Sequence, residues 1–177
     1  MPTDVYIGIG SNIDAERNIL EAIEALEHRI GHVKSSSAYR NPPIGLDGDD
    51  FLNLVLHLVS DAGPVAFEEI LNDIERSAGR ARSGSGAGPR SLDLDLLLYG
   101  SLVDAELGLP HADILHYPFV LCPLAELTPG LEHPITGIPV SRTWSEMAHM
   151  NPMLVKLEQL QTPATGGDSR SSRAAEG

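Results

Sequence analysis

The chain has 177 residues, 42% of them hydrophobic, and a formal net charge of −13 at pH 7. This length fits one compact domain with a substantial core. The negative charge disfavours binding to nucleic acids or anionic membranes, because their phosphates would repel the surface. No apolar run approaches the ~20 residues of a membrane-spanning helix, and the single cysteine, Cys122, cannot form an internal disulfide. We expect a cytoplasmic protein that acts as a monomer.

The first hundred residues alternate between strand-like and helix-like segments. Apolar runs predict strands over residues 5–10, 33–39, 51–60 and 91–99. Apolar residues at helical spacing predict helices over 15–30, ended by Gly31, and from Pro64 to Gly79. The order β-α-β-β-α-β predicts an α+β fold, a ferredoxin-like core with an antiparallel sheet.

After Gly100 the pattern is less regular, and we expect extra C-terminal elements outside the core. Residues 118–127 and 141–150 have the composition of two further helices. Residues 161–177 are small and polar, which predicts a disordered tail. The predicted organisation is therefore a single domain over residues 1–160, followed by that tail.

Two aspartates are the first candidate site residues. Side chains alternate along a strand, so Asp93 and Asp95 share one face of the predicted fourth strand while Leu92, Leu94 and Leu96 are buried on the other. Two such carboxylates can bracket a pair of magnesium ions, which complete their shells with phosphate oxygens and water. A solvated polar strand face explains most such patterns, so this interpretation depends on the neighbouring sequence.

That neighbouring sequence is cationic in an otherwise acidic chain. The fifteen residues from Arg76 to Arg90 contain four of the ten arginines and no acid. Arginine binds phosphate through bidentate, charge-assisted hydrogen bonds. Arg80, Arg82 and Arg90 are the phosphate-binding candidates, whereas Arg76 can equally pair with an acid on its own helix. Each alone could be a surface ion pair, but the cluster favours an anionic ligand.

Three further side chains are candidates for a flat ligand and its phosphates. The amide of Asn53 can match the donor and acceptor edge of a heterocycle, or it can make a structural hydrogen bond to the preceding loop. Phe119 can stack on such a ring, or belong to the core. His111 can contact a phosphate, although most lone histidines are structural.

Two familiar nucleotide-binding motifs are rejected. The Gly8–Asn12 segment follows a strand and precedes a helix, but Ile13 stands where a dinucleotide fingerprint needs its third glycine. The glycines between Arg82 and Arg90 do not form a P-loop, because no lysine followed by serine or threonine comes after them.

Taken together, the motifs resemble the 6-hydroxymethyl-7,8-dihydropterin pyrophosphokinase family, often called HPPK. The similarity covers roughly residues 5 to 135, and the Pro-Arg-x-x-Asp-x-Asp block at 89–95 is its most specific part. The other matching pieces are Gly10-Ser11-Asn12, Tyr39, Pro42-Pro43-Ile44-Gly45, Phe51-Leu52-Asn53, Glu75, Gly79-Arg80, Arg82, Pro110-His111, Phe119-Val120-Leu121 and Pro123-Leu124.

The resemblance implies an enzyme of folate biosynthesis that transfers pyrophosphate from ATP to the hydroxymethyl group of a reduced pterin. By that likeness Asp93 and Asp95 hold two Mg²⁺ ions. Catalysis would involve Arg82, Arg90 and Asp95. The implied ATP-binding residues are Glu75, Arg80, Arg82, Arg90 and His111. The implied pterin-binding residues are Pro43, Ile44, Gly45, Asn53 and Phe119.

The chain also departs from the family pattern where cations are usual. Leu115 and Tyr117 occupy two such positions before Phe119, and Glu106 and Gly108 replace residues that commonly help to bind the nucleotide. Each lost charge-assisted contact is worth roughly 1.5–3 kcal/mol. The alternative hypothesis is therefore a pterin-binding homologue with little or no catalysis.

Overall fold

The computed structural model describes residues 1–45, 47–78, 92–150 and 153–160. The strands in these residues are β1 (Thr3–Ser11), β2 (Lys34–Ser35), β3 (Tyr39–Asn41), β4 (Phe51–Ser60), β5 (Asp93–Tyr99) and β6 (Val155–Lys156). The α-helices are α1 (Ala15–Ile30), α2 (Pro64–Ser77), α3 (Asp113–His116), α4 (Pro118–Leu127) and α5 (Val140–Met147), the last followed by a short 3₁₀ turn (Ala148–Met150).

The strands form one antiparallel sheet in the order β5-β1-β4-β3-β6, and β2 also pairs with β4. If β2 and β3 are taken as halves of one strand, the sheet order β5-β1-β4-β3 is that of the four strands in a ferredoxin-like βαββαβ core. The predicted α+β fold is therefore confirmed. β6 adds an edge strand that the sequence pattern did not predict.

The predicted second strand, residues 33–39, is interrupted in the structure. The Ser36 backbone N–H donates to the Val55 carbonyl oxygen at 2.9 Å, but the Val55 N–H donates to Ser36 Oγ at 2.9 Å. A serine hydroxyl thus takes the place of a backbone carbonyl in the ladder. The strand consequently divides into β2 and β3.

Helices cover both faces of the sheet. α1 and α2 pack on one face, where the larger core contains Ile7, Leu56 and Phe67, each with no exposed surface. α3, α4 and α5 pack on the other face around a second cluster that includes Leu97, Leu121 and Leu124. In the part of the chain that the structure describes, none of the helices is both long enough and apolar enough to cross a membrane.

A β-bulge in β5 places two consecutive leucines of this strand in the second cluster. Tyr6 pairs with Leu98 and Ile7 pairs with Leu96, so Leu97 is an extra residue in the ladder. A bulge of this kind places two consecutive side chains on the same side of the sheet. Leu97 and Leu98 accordingly both join the second cluster, whereas Leu94 and Leu96 belong to the larger core.

Candidate active site

A cavity of about 310 Å³ lies on the sheet face that α3 and α4 cover. Its floor is the backbone of β1 at Gly8 and Gly10, and its walls come from β4, β5, the β3–β4 connection and the start of α4. The residues that line it are Gly8, Ile9, Gly10, Asn41, Pro43, Ile44, Phe51, Asn53, Leu54, Val55, Asp93, Asp95, Leu97, Asp113, Tyr117, Phe119 and Val120.

Asp93 and Asp95 both face this cavity from β5, as strand alternation predicts. Leu94, between them, is 6% exposed and packs in the larger core. Burial raises the pKa of Asp95 to about 6, and the neighbouring charge of Asp93 adds to the effect, while His111 opposes it. The fold thus holds two carboxylates close enough to repel one another at the edge of a cleft.

His111 lies beside this pair. Its backbone N–H donates to the carbonyl oxygen of Leu97 at 2.9 Å, which fixes the residue against β5. Its Nδ1 accepts from the Asp113 backbone N–H at 3.3 Å, so the ring proton of the neutral form is on Nε2. Nε2 is 3.9 Å from Asp95 Oδ1. A partly exposed N–H donor therefore points to the aspartate end of the cavity.

Glu75 is placed beneath the pair and not in the cleft. Its side chain on α2 is 3% exposed, and its Oε1 accepts a hydrogen bond from the backbone N–H of Leu94 at 2.7 Å. The carboxylate thus joins α2 to the part of β5 that carries both aspartates. The predicted contact of Glu75 with ATP stays a prediction.

The far wall of the cavity combines amides with apolar surface. Asn53 is 8% exposed, and its Nδ2 donates to Asn41 Oδ1 at 2.7 Å. Pro43 and Ile44 line the same wall, and Ile44 is 63% exposed at its rim. Gly45 follows with a φ of 72°, a left-handed conformation that favours glycine, but it is not among the lining residues.

Two aromatic rings close the cavity on the α4 side. Tyr117 precedes α4 and Phe119 lies in its first turn. Their ring centroids are 5.0 Å apart and their planes differ by 18°, which is a stacked arrangement. Both rings line the cavity. The cleft therefore has an aromatic and amide region suited to a planar heterocycle, next to an acidic region.

Comparison with known proteins identifies the family. Residues 6–129 match the family model described as 7,8-dihydro-6-hydroxymethylpterin-pyrophosphokinase (HPPK). The chain is 38% identical over 135 residues to the 2-amino-4-hydroxy-6-hydroxymethyldihydropteridine pyrophosphokinase of Methylorubrum extorquens, a match that covers 73% of this chain and 85% of the relative. The chain belongs to the HPPK family. The enzyme of the same name from Bacillus subtilis is 35% identical over 138 residues, 75% of this chain and 82% of that one.

Solved structures of HPPK domains have the same fold. The chain superposes on the wild-type Plasmodium falciparum HPPK-DHPS with STZ-DHP with a TM-score of 0.65 and 12% identity, over 86% of this chain and 43% of that one. For an HPPK-DHPS in complex with substrates the TM-score is 0.67 at 13% identity, over 84% and 44% of the two chains. This chain thus spans less than half the length of those proteins, and the similarity shows the fold alone.

The resemblance to HPPK seen in the sequence is therefore confirmed, and the structure groups many of its predicted residues. Six of them line one cavity: Pro43, Ile44, Asn53, Asp93, Asp95 and Phe119. His111 contacts its acidic end, and Glu75 supports it from below. The predicted phosphate ligands Arg80, Arg82 and Arg90 lie outside the described residues. Their roles stay predictions.

The carboxylate pair has the chemistry of a magnesium site. Mg²⁺ prefers hard oxygen ligands and is commonly bound by one or two carboxylates together with phosphate oxygens and water. Within residues 1–45, 47–78, 92–150 and 153–160, no group of three or more His, Cys, Asp or Glu side chains is arranged to hold a metal ion. Asp93 and Asp95 are therefore the candidate ligands for such an ion in the described part of the cavity.

Three cavity residues with polar side chains, Asn41, Asp113 and Tyr117, were missed as site residues by the sequence analysis. Asn41 directly precedes Pro42-Pro43, so its position beside the predicted pterin loop was a usable signal. Tyr117 was noted only as the replacement of a usual arginine, although its i, i+2 spacing to Phe119 at a helix start allows the rings to meet. Asp113 gave no signal, because α3 was not predicted.

Proposed function

We propose that this chain transfers a pyrophosphoryl group from ATP to the hydroxymethyl oxygen of 6-hydroxymethyl-7,8-dihydropterin, releasing AMP. Its HPPK relatives are named for this activity. The observation that carries the proposal is the composition of one cavity, where Asp93 and Asp95 lie at one end and Asn53, Pro43 and Phe119 lie at the other. A pterin bound by the second group can present its hydroxymethyl group to a triphosphate held by the first.

In this reaction a bond forms between the hydroxymethyl oxygen and the β-phosphorus of ATP. The bond from that phosphorus to the oxygen shared with the α-phosphate breaks, AMP leaves, and the hydroxyl proton is released. Catalysis of phosphoryl transfer depends mainly on positioning and on neutralising charge. The cavity positions the acceptor because the pterin would be held between an aromatic ring and a fixed amide.

Asp93 and Asp95 would hold two Mg²⁺ ions, which would neutralise charge on the triphosphate and orient it. The chain's own part is to keep both carboxylates on one side of β5, with their backbone fixed by Glu75. His111 would donate its Nε2 proton to a phosphate oxygen. We also propose that Arg80, Arg82 and Arg90 supply the positive charge that the described part of the cavity lacks.

The first test is AMP formation by the purified protein with ATP, Mg²⁺ and the reduced pterin. Asp95→Asn keeps the shape of the side chain and removes its charge, and we expect it to lower the rate by at least 100-fold (roughly 3 kcal/mol or more). Asp61→Asn is the matched control, because Asp61 is exposed at the opposite end of β4. It should leave the rate unchanged.

Other outcomes separate the alternatives. If well-folded protein bound the pterin but formed no AMP, the alternative hypothesis of a pterin-binding homologue would be favoured. The reason to consider this alternative is that Leu115 and Tyr117 occupy positions where the family usually has cations. Equal rates for Asp95→Asn and the unaltered protein would contradict the metal-binding role.

We further propose that the chain acts as a monomer in the cytoplasm. Light scattering on a sizing column tests the oligomeric state, and cell fractionation tests the location.

A further inference from the structure

Two buried side-chain amides are joined in series on the wall of the cavity. Asn41 ends β3 and is 9% exposed, and Asn53 in β4 is 8% exposed. Asn53 Nδ2 donates to Asn41 Oδ1 at 2.7 Å, and Asn41 Nδ2 donates to the backbone carbonyl oxygen of Pro42 at 3.0 Å. The sequence resemblance implied a ligand role for Asn53, but none for Asn41.

The carbonyl of Pro42 determines the orientation of both amides. A carbonyl oxygen can only accept hydrogen bonds, so Asn41 must present its NH₂ group there. Its Oδ1 then faces Asn53, and this oxygen can also only accept. Asn53 must therefore present its own NH₂ group to Asn41. The usual ambiguity between the oxygen and nitrogen of an amide is removed for both side chains.

This arrangement leaves a defined hydrogen-bonding edge on the Asn53 side chain, which lines the cavity. With its nitrogen directed at Asn41, Asn53 directs Oδ1 to the opposite side, above Gly10, where a Cβ atom on Gly10 would lie 2.8 Å from it. Among the residues that the structure describes, Asn53 Oδ1 has no hydrogen-bond partner. Asn53 Oδ1 can accept from an N–H, and the second Nδ2 hydrogen can be donated to a C=O. The amide is therefore complementary to a lactam edge, in which a C=O lies next to an N–H.

We infer that Asn41 is a positioning residue that sets the specificity of Asn53 for the lactam edge of the bound heterocycle. This inference rests on the proposed pterin kinase function. Without Asn41, the Asn53 amide can rotate by 180° with little change in shape, which exchanges its donor and acceptor. The apparent affinity then falls with the fraction of molecules that keep the competent orientation.

A double-mutant cycle tests whether Asn41 acts through Asn53. The variants are Asn41→Leu, Asn53→Leu and the double substitution, since leucine has the same number of side-chain heavy atoms, branched at Cγ, and cannot form hydrogen bonds. The dissociation constant of 6-hydroxymethylpterin is measured with Mg²⁺ and the α,β-methylene analogue of ATP. We expect Asn41→Leu alone to weaken binding about 2- to 10-fold, the lower value corresponding to equal populations of the two amide orientations, and less than about 1.5-fold when Asn53 is already leucine. Arg40→Leu, on the same strand but exposed, should change binding less than about 1.5-fold.

Two results of this cycle would overturn the inference. One is an unchanged affinity in Asn41→Leu. The other is an equal loss in both backgrounds, because Asn41 would then act only as part of the cavity wall. If the unaltered protein neither bound the pterin nor formed AMP, the proposed function would fail as well. If turnover is normal and either of the two results is found, this inference is overturned and the proposed function stands.

A second readout does not depend on turnover, and its first part needs no variant. In ¹³C,¹⁵N-labelled unaltered protein, a scalar coupling between Asn53 ¹⁵Nδ2 and Asn41 ¹³Cγ is expected across their hydrogen bond, with one Nδ2 hydrogen protected from exchange. In Asn41→Leu that protection should disappear. Two rapidly exchanging, equivalent Nδ2 hydrogens in the unaltered protein would overturn the inference, because the amide would not be fixed.

Discussion

At the scale of single residues, the shape of the cavity depends on how closely β1 approaches the side chains that line it. Gly10 leaves room for Asn53, whose Oδ1 would be 2.8 Å from a Cβ atom at position 10. Gly8, two residues earlier on the same face, would place its Cβ atom 3.4 Å from the Leu97 side chain, which is ordinary contact. The two glycines therefore differ in whether a Cβ atom could be added: there is room for it at position 8 but not at position 10.

We therefore predict different costs for the two glycine-to-alanine substitutions. Gly10→Ala forces the buried, hydrogen-bonded amide of Asn53 to move and should lower the free energy of unfolding by about 1–3 kcal/mol. Gly8→Ala is the matched control and should cost less than about 1 kcal/mol. Denaturant unfolding of the ligand-free proteins measures both. A Gly10→Ala protein as stable as Gly8→Ala would show that the Asn53 side chain can be displaced freely.

At the scale of elements, a hydrogen bond between α2 and β5 helps to keep the aspartates on the cavity side of the sheet. Glu75 accepts the Leu94 N–H within the larger core, at the strand position between Asp93 and Asp95. Slipping β5 by one residue would bury the aspartates and expose the leucines. A buried hydrogen bond to Leu94 opposes that slip, since the backbone N–H would lose its partner.

This role of Glu75 leads to a stability prediction. Glu75→Leu leaves the Leu94 N–H without this acceptor and should lower the free energy of unfolding by about 1–3 kcal/mol, whereas Glu75→Gln keeps an acceptor and should cost less. Glu69→Leu, exposed on the same helix, should stay within about 0.5 kcal/mol of the unaltered protein. Urea unfolding compares the three. Equal loss in the Gln and Leu variants would indicate that the charge of Glu75, and not its hydrogen bond to Leu94, is what matters.

At the scale of the whole molecule, one carboxylate on α4 connects this helix to two strands of the sheet, β3 and β6. Glu126 accepts hydrogen bonds from the Tyr39 hydroxyl and, at 2.9 Å, from the Ser37 backbone N–H, and it pairs with Lys156 at 3.1 Å. Burial alone would raise the pKa of Glu126, but these hydrogen bonds outweigh it and lower the pKa to about 2. The anion therefore holds β3 and β6 against α4.

The lowered pKa predicts acid sensitivity. Because folding lowers the pKa of Glu126 from 4.5 to about 2, its stabilisation is complete above about pH 4.5 and is lost as the pH falls towards 2. Between pH 5 and pH 3 we expect the unaltered protein to lose about 1–2 kcal/mol more unfolding free energy than Glu126→Gln. Chemical unfolding at the two pH values measures this difference. Parallel losses in both proteins would contradict it.

Sequence patterns predicted the helices and strands whose apolar residues recur at a regular spacing. They failed where a side chain takes the place of a backbone group in a hydrogen bond. Alternation in β5 correctly placed Asp93 and Asp95 opposite the leucines. The run from 33 to 39 looked equally strand-like, yet Ser36 offers its hydroxyl to the ladder and divides it. Asn41 was missed because its importance comes from a contact with Asn53, twelve residues away, that no period reveals.

The hydrogen bond from Leu94 to Glu75 also bears on how the site can be altered. It lies close in sequence to both ends of segment 79–91, where the Ala78 N–H donates to the Ile74 carbonyl oxygen and Leu92 is only 1% exposed. We expect that the arginine-bearing segment can be exchanged as a unit between these two residues. Replacing it with the corresponding segment of the Bacillus subtilis relative would test the proposed phosphate-binding role of its arginines, with the described strands, the two aspartates and the two asparagines left unaltered in sequence.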